Sequence, residues 1–382
     1  MVMPMFEFPW PDGPYPIATI ERRFHQSTAH SDRSVTVRLW YPAGISSIRS
    51  VIPSAWSGSA ATVGAKAADD QFPLLLGFAG WNGSLHGNVV LSQALASHGF
   101  VVAAIGYPSG RNVPSRAIPM DFSSAEAFAT TLALADLRAR LQADTASFVL
   151  DMLARPDARG RSRCGVDRTD DACVGVFGLS FGGAVAAQLA WQDTRVRAVM
   201  NLDGWLFGDA AIQHFAQPCL IVSDDTPLPD EAELCAENVT RRNRAQLTDR
   251  DARWQDAQLA HGGGYKLTVL GSSHSDFCDR SLLNPLNIIA LRHTRRARRT
   301  MRIVQAYALD FFGRLLDGRP AALLDAPGSM APYLEARFQE FGRPAWSSDG
   351  CRGTASVEAA IQYDVAHSRQ YIGTAPSGVE QP

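Results

Sequence analysis

Residues 174–191 read VGVFGLSFGGAVAAQLAW, a serine set between two glycines at the join of two different patterns. Upstream, Cys173 to Phe177 is short, apolar and β-branched, the composition of a buried strand. Downstream, Gly182 to Trp191 is rich in Ala, Gln and Leu and predicts a helix. A strand that passes straight into a helix crowds its own backbone, so the positions flanking the apex must be small. Gly178 and Gly182 meet that demand. Ser180, at the apex, is expected to be strained, with its hydroxyl raised above the sheet edge. The N–H of Phe181 opens the helix and can face a developing oxyanion.

A strand, G-x-S-x-G and a helix in that order form the nucleophile elbow of the α/β-hydrolases. The rest of the chain has the matching layout. IATIERRF and SVTVRLWYPA predict two early strands, and residues 43–70 a long loop or insertion. FPLLLGFAG and FVVAAIGYP predict buried strands flanking the helix NVVLSQALASHG, which stops at Gly99. An insertion at about 108–165 contains a helical stretch, AFATTLALADLRARLQADTASFVLDMLA. After the elbow come the strands VRAVMNLDGW, PCLIVSDD and YKLTVLG, the last expected to close the sheet. A final helix, MRIVQAYALDFFGRLLDG, packs over it. Alternating strands and helices predict a mostly parallel central sheet with helices on both faces, an α/β-hydrolase fold. The expected organisation is a single domain over 1–341 and a peripheral tail over 342–382, polar and rich in Gly, Pro and Ser.

Composition excludes several other readings. A net charge of −2 gives no drive toward nucleic acid or anionic membranes. Lys66 and Lys266 are the only lysines, so almost all positive charge is arginine. The basic run RHTRRARR, Arg292 to Arg299, reads as a solvated helix face, with a phosphate or headgroup patch as the alternative. No 18-residue apolar run predicts a transmembrane helix. The start, MVMPMFEFPW, lacks a basic segment and a continuous apolar core. A cytoplasmic location is expected if the chain is complete, a secreted or periplasmic one if a leader has been removed. None of the six cysteines forms C-x-x-C, and no Cys/His cluster has zinc spacing, so no metal and no cofactor are expected. Cys164 and Cys173 are the closest local pair, and Cys235 with Cys278 would make a bridge that fixes the loop after YKLTVLG.

A serine hydroxyl needs a base. Of nine histidines, His25, His30, His86, His98, His214, His261, His293 and His367 lie at helix ends, ahead of strands, before Ser180 or far from strand ends. His274 follows the strand YKLTVLG by three residues and lies downstream of Ser180, the order the fold demands of its base. The acid must end a strand between the two, and both Asp203 and Asp224 do so.

Three segments together resemble the plasma/type II platelet-activating-factor acetylhydrolases. They are FPLLLGFAGWNGS with LASHGFVVAAIGY, GVFGLSFGGAVAAQ with NLDGWLF, and GSSHSDF, and the likeness runs from about residue 34 to 318. It implies an α/β-hydrolase with Ser180 as nucleophile, His274 as base and Asp203 of Leu202-Asp203-Gly204-Trp205 as acid. It also implies that Trp81 supplies the second oxyanion N–H beside Phe181. The family usually has Ser-His-Gly before that residue, where this chain has Phe78-Ala79-Gly80. Phe78, Trp205, Phe207 and Phe277 stand beside the motifs and are expected, with Trp81, to line an apolar acyl pocket. The expected activity is serine carboxylester hydrolysis of a small-molecule or lipid ester with a short acyl chain, such as platelet-activating-factor-like or oxidised phospholipids. Alternatives are polyester or aromatic esters, an acyltransferase or perhydrolase with the same triad, and a non-catalytic binding protein on this scaffold.

Overall fold

The apolar runs assemble into a ten-stranded sheet in a computed structural model that describes residues 8–28, 31–44, 60–83, 85–106, 119–155, 169–282, 288–326 and 336–342. The strands are β1 (Ile17–Thr28), β2 (Ser31–Pro42), β3 (Thr62–Val63), β4 (Phe72–Phe78), β5 (Val101–Gly106), β6 (Thr169–Leu179), β7 (Val196–Leu202), β8 (Cys219–Ser223), β9 (Gly264–Val269) and β10 (Ala336–Phe341). The helices are α1 (Val89–Ser97), α2 (Ala125–Ala154), α3 (Phe181–Gln192), α4 (Glu231–Leu234), α5 (Val239–Gly262), α6 (Asp279–Leu282), α7 (Ile288–Asp317) and α8 (Ala322–Asp325).

Across the sheet the order is β10-β9-β8-β7-β6-β4-β5-β2-β1-β3. The six strands from β9 to β5 are parallel, and β2 and β10 flank them antiparallel. The interior strands are apolar on both faces because both are covered, and all seven residues of β4 are buried. Alternate residues feed two cores. Leu74, Leu76, Val176, Val199 and Ile221 pack with α2, α3 and α5, whereas Leu75, Phe177, Met200 and Leu220 pack with α1, α7 and α8. The small buried row Thr131, Ala135, Ala139, Ala143 on α2 recurs every four residues and lets that helix lie close on α3.

Three features depart from the sequence expectation. The sheet does not close at β9: β10 adds an edge strand, with Phe338 stacked on Tyr265 and on Tyr307. The stretch between β8 and β9, where no element was expected, holds α4 and the 24-residue α5. The basic stretch read as a helix face and the helix expected from Met301 are one continuous helix, Ile288–Asp317. The tail beyond 342 and both flanks of α2, at 107–118 and 156–168, lie outside the described residues.

Chain order reverses between β4 and β6. The chain runs from β4 outward to β5 on one side, then returns to β6 and proceeds the other way. In open parallel sheets a crevice forms at such a point, at the carboxyl ends of the strands. The elbow lies there. A Cβ on Gly178 would stand 2.0 Å from the carbonyl oxygen of Gly182, and a Cβ on Gly182 2.3 Å from that of Phe78. Either would have to displace backbone. Gly178→Ala and Gly182→Ala are therefore each expected to lower unfolding stability by roughly 1–3 kcal/mol. Gly313→Ala is the contrast: it lies in α7 with only the Arg319 side chain near, at 3.4 Å or more. It should gain up to about 1 kcal/mol from helix propensity. Urea unfolding of the three variants measures the difference.

Candidate active site

Leu179 of β6 and Leu202 of β7 are register partners, so these two parallel strands end level. The next residue of each leaves the strand through the left-handed region, Ser180 at φ 55° and Asp203 at φ 53°. Neither residue is glycine, and such backbone costs about 1–3 kcal/mol unless its surroundings impose it. They do. Ser180 N–H donates to Leu202 O at 2.8 Å and Asp203 N–H to Val222 O at 2.7 Å. The Asn201 side chain closes the second turn, accepting from Gly204 N at 3.0 Å and donating to Gly204 O at 2.9 Å. The two turns interlock, because a Cβ on Gly204 would lie 2.0 Å from Ser180 O.

His274 heads a 3-10 turn, His274–Phe277, in the loop after β9. Its Nδ1 lies 2.6 Å from Asp203 Oδ2. The other oxygen of Asp203 accepts from the backbone N–H of Asp224 at 3.0 Å. The Asp224 carboxylate turns the opposite way and caps its own loop, accepting from Thr226 N at 3.0 Å and Thr226 Oγ1 at 2.8 Å. Of the two acids that end strands, Asp203 meets the histidine with its side chain and Asp224 supports Asp203 with its backbone. The hydrogen bond to Asp203 holds the imidazolium of His274 above the ordinary histidine range. Partial burial opposes this, and the charges of Asp203 and Asp224 add to it. Half the His274 side chain, 52%, is open to solvent. No hydrogen bond links the Ser180 hydroxyl to His274 Nε2 among the described residues.

The histidine loop is fastened by groups that the sequence reading missed. Asp276, 1% exposed, accepts from Ser273 N at 2.8 Å, from Ser273 Oγ at 3.0 Å and from Arg296 Nε at 2.6 Å. Arg296 reaches on to Ser273 Oγ at 3.0 Å. Arg299 bonds Leu270 O, and Asp225 accepts from Gly271 N at 2.9 Å. The basic run of α7 is thus divided: Arg292 and Arg295 are exposed, while Arg296 and Arg299 hold the loop that carries His274. The spacing Ser273-x-x-Asp276 is a capping-box signature and was the available signal.

On the other side of the crevice, the turn after β4 brings Gly80 against the elbow. A Cβ there would lie 3.5 Å from Ser180 Cβ. The Trp81 ring meets the Phe181 ring edge-on, centroids 4.8 Å apart. The remaining aromatics divide. Phe78 is fully buried, and Phe207 and Phe277 are 1% exposed, all within the cores. Strand alternation accounts for Phe78, which shares the face of Leu74 and Leu76. Trp205 stays half-buried against Phe122. Next to it, the buried Asp251 of α5 accepts from Leu206 N at 2.6 Å and fixes the loop that follows Asp203.

Cys235 and Cys278 are free thiols, so the expected bridge does not form. Cys235 caps α4 at the exposed surface, whereas Cys278 ends the 3-10 turn half-buried. Cys173 is disulfide-bonded, and its partner lies outside the described residues, as does Cys164. Among the described residues no three His, Cys, Asp or Glu side chains gather as a metal site. None of the described helices is long and apolar enough to cross a membrane.

The hydrogen bond between His274 and Asp203 generates a pH prediction. A base must be neutral, and a raised pKa means that it stays protonated to higher pH. If His274 acts as base, the acid limb of kcat/KM should lie above the ordinary imidazole value of about 6.5. Asp203→Asn removes the cause of the rise, so the limb should move to lower pH, with turnover down by about four orders of magnitude. Asp224→Asn should leave turnover within about tenfold, because its side chain bonds only its own loop. Rate profiles of the three proteins decide the matter.

Residues 166–319 match the family model described as platelet-activating factor acetylhydrolase, isoform II. That span holds the elbow, Asp203 and His274, and leaves out β4 with Trp81. The platelet-activating factor acetylhydrolase of Bos taurus is 25% identical over 253 residues, 59% of this chain and 51% of that one. A probable 1-alkyl-2-acetylglycerophosphocholine esterase of Arthroderma benhamiae is 26% identical over 175 residues, 43% of each chain. The chain spans about half the length of the curated relatives it matches. Among solved structures, the ferulic acid esterase from Streptomyces cinnamoneus superposes with a TM-score of 0.59 over 86% of this chain and 98% of that one, at 23% identity. That likeness is one of fold. The matched segment and the two relatives make residues 166–319 similar to the platelet-activating factor acetylhydrolases, and the solved structure shows the fold.

Proposed function

We propose that this chain is a serine carboxylester hydrolase with Ser180, His274 and Asp203 as its triad. The observation that carries the reading is the 2.6 Å hydrogen bond between His274 Nδ1 and Asp203, formed beside a serine held at φ 55°. Nδ1–H bound to a carboxylate leaves Nε2 as the basic nitrogen. In the mechanism, Nε2 takes the Ser180 proton as the hydroxyl oxygen attacks the ester carbonyl. Asp203 keeps the ring in one tautomer and stabilises its charged form. The carbonyl oxygen, now negative, is received by the N–H groups of Phe181 and Trp81. Collapse expels the alcohol, which takes the proton from Nε2. Water, deprotonated by the same nitrogen, then resolves the acyl-enzyme.

The relatives are named for acetyl ester cleavage, which supports an ester with a short acyl chain. The reading takes residues 1–341 as one catalytic domain that includes the insertion at about 108–165, and leaves 342–382 outside it. Platelet-activating-factor-like and oxidised phospholipids are the substrates that the family likeness favours. A second reading, an aromatic or polyester ester, has its own support: the fold neighbour is a ferulic acid esterase, and half-buried Trp81 and Trp205 stand beside the elbow and beside Asp203. An acyltransferase or perhydrolase would use the same triad with a different acceptor.

Ser180→Ala should abolish ester hydrolysis, and a fluorophosphonate should label Ser180 in the unaltered protein. A p-nitrophenyl ester series should peak at acyl chains of about two to six carbons, since each methylene that outgrows a pocket costs about 1–3 kcal/mol. Running 1-alkyl-2-acetylglycerophosphocholine beside methyl ferulate separates the two substrate readings. Added alcohol or peroxide that diverts most of the acyl product would make the chain an acyl transferase instead. Full turnover in Ser180→Ala would remove the reading.

A further inference from the structure

We propose that Arg138, on the helix α2 that the insertion contributes, is a positioning residue for the oxyanion hole. The inference rests on the hydrolase reading above and names a device that reading does not include.

The two oxyanion donors, the N–H groups of Trp81 and Phe181, belong to different elements, and neither is fixed by regular secondary structure on both sides. Phe181 is the first residue of α3. Trp81 lies in the turn after β4, where Gly83 N–H donates to Gly80 O at 2.9 Å. Every described peptide is trans, so the carbonyl of Gly80 and the N–H of Trp81, which share one peptide unit, point in opposite directions. The turn therefore aims the Trp81 N–H away from Gly83. The following peptide unit still has to be held, or the Trp81 backbone can rotate. Arg138 holds it, with Nη2 donating to Trp81 O at 2.8 Å.

The same guanidinium lies over the side chains of both donor residues. Its Cζ is 4.0 Å from the Trp81 ring centroid and 5.5 Å from that of Phe181. The two rings themselves meet edge-on at 88°. One planar cation thus bonds the backbone of one donor residue and covers the rings of both. The base from which it reaches is rigid. Ala135 and Ala139, on either side of Arg138, are fully buried, Asp136 Oδ1 accepts from Gly208 N at 2.8 Å, and Arg140 pairs with Asp209 at 2.9 Å. Lysine could supply the charge. It could not stack flat on a ring while directing an N–H at a fixed carbonyl.

The test measures hydrolysis of p-nitrophenyl acetate and inhibition by phenylboronic acid, whose serine adduct puts an oxygen in the oxyanion hole. Arg138→Met should lower kcat about 10- to 100-fold, less than outright loss of an oxyanion donor, which costs about 100- to 1000-fold. KM should stay within about threefold, and the boronate Ki should rise by the factor lost in kcat/KM. Arg138→Lys should recover only a minor part. Ethylguanidinium added to Arg138→Ala should restore kcat several-fold, which requires a folded protein and so separates positioning from lost stability. The proposal is overturned if Arg138→Met keeps kcat while Ser180→Ala is inactive. It is also overturned if the loss falls on KM with the boronate Ki unchanged, or if ethylguanidinium restores nothing. Should Ser180→Ala itself retain turnover, the nucleophile assignment fails and the inference goes with it.

Discussion

The first turn of α3 lies so close to the last carbonyl of β4 that no side chain fits between them, and the arrangement of the site follows from that contact. With glycine at 182, the helix can start one residue after the strand ends, and Ser180 is forced into the left-handed region. The contact also joins the two halves of the crevice, because the turn carrying Gly80 and Trp81 leaves β4 at that carbonyl. Asn88 reinforces it, donating its side-chain amide to Phe78 O at 3.2 Å just before α1 begins. Ser180 and the turn that carries Trp81 are thus set relative to each other by backbone contact, which leaves little room to drift.

The side that carries Asp203 and His274 is built differently, from polar groups that fasten loops. Asp276 with Arg296, Asp225 with Gly271, and Asp251 with Leu206 each tie a loop to a helix or to another loop. Asp279 extends the scheme. It follows the histidine turn, and its carboxylate accepts from Val89 N at 2.5 Å at the start of α1. Burial pushes that carboxyl up to about 6, against the two α1 N–H bonds that favour its charged form. The turn that carries His274 is thereby tied to the start of α1.

What could be read from the residues alone had local causes. Buried parallel strands announce themselves as unbroken apolar runs, and Ser180 and His274 by a short spacing from a strand end. α5 escaped because it has no apolar stripe: Asn243, Asp251 and Gln258 are among its buried residues, and hydrogen bonds hold it down. β10 escaped as a short run whose pairing partner β9 lies far back in the chain. Position slightly favours Asp224, two strands after the elbow, whereas the family resemblance favours Asp203. The contact of His274 with Asp203 depends on how far the loop after β9 reaches, which no local pattern encodes. Arg138 lies 57 positions from the carbonyl it bonds, and no local pattern marks it. Phe78 and Phe277 were read as pocket walls from their nearness to the motifs, whereas their side chains fill the cores.

The carboxylate that meets His274 stands at the end of β7, next to the elbow strand, while the Asp224 side chain at the end of β8 bonds its own loop. Only the backbone N–H of Asp224 and the two anchors of Asp225 are tied to the site. From Thr226 to Asp230 the chain is mostly exposed and carries Leu228 at 64% exposure. Beside the mouth of the crevice there is thus a stretch that can lengthen, shorten or change composition while Ser180, Asp203 and His274 stay in register. A lineage, or a designer, altering what this crevice admits would have its widest freedom there.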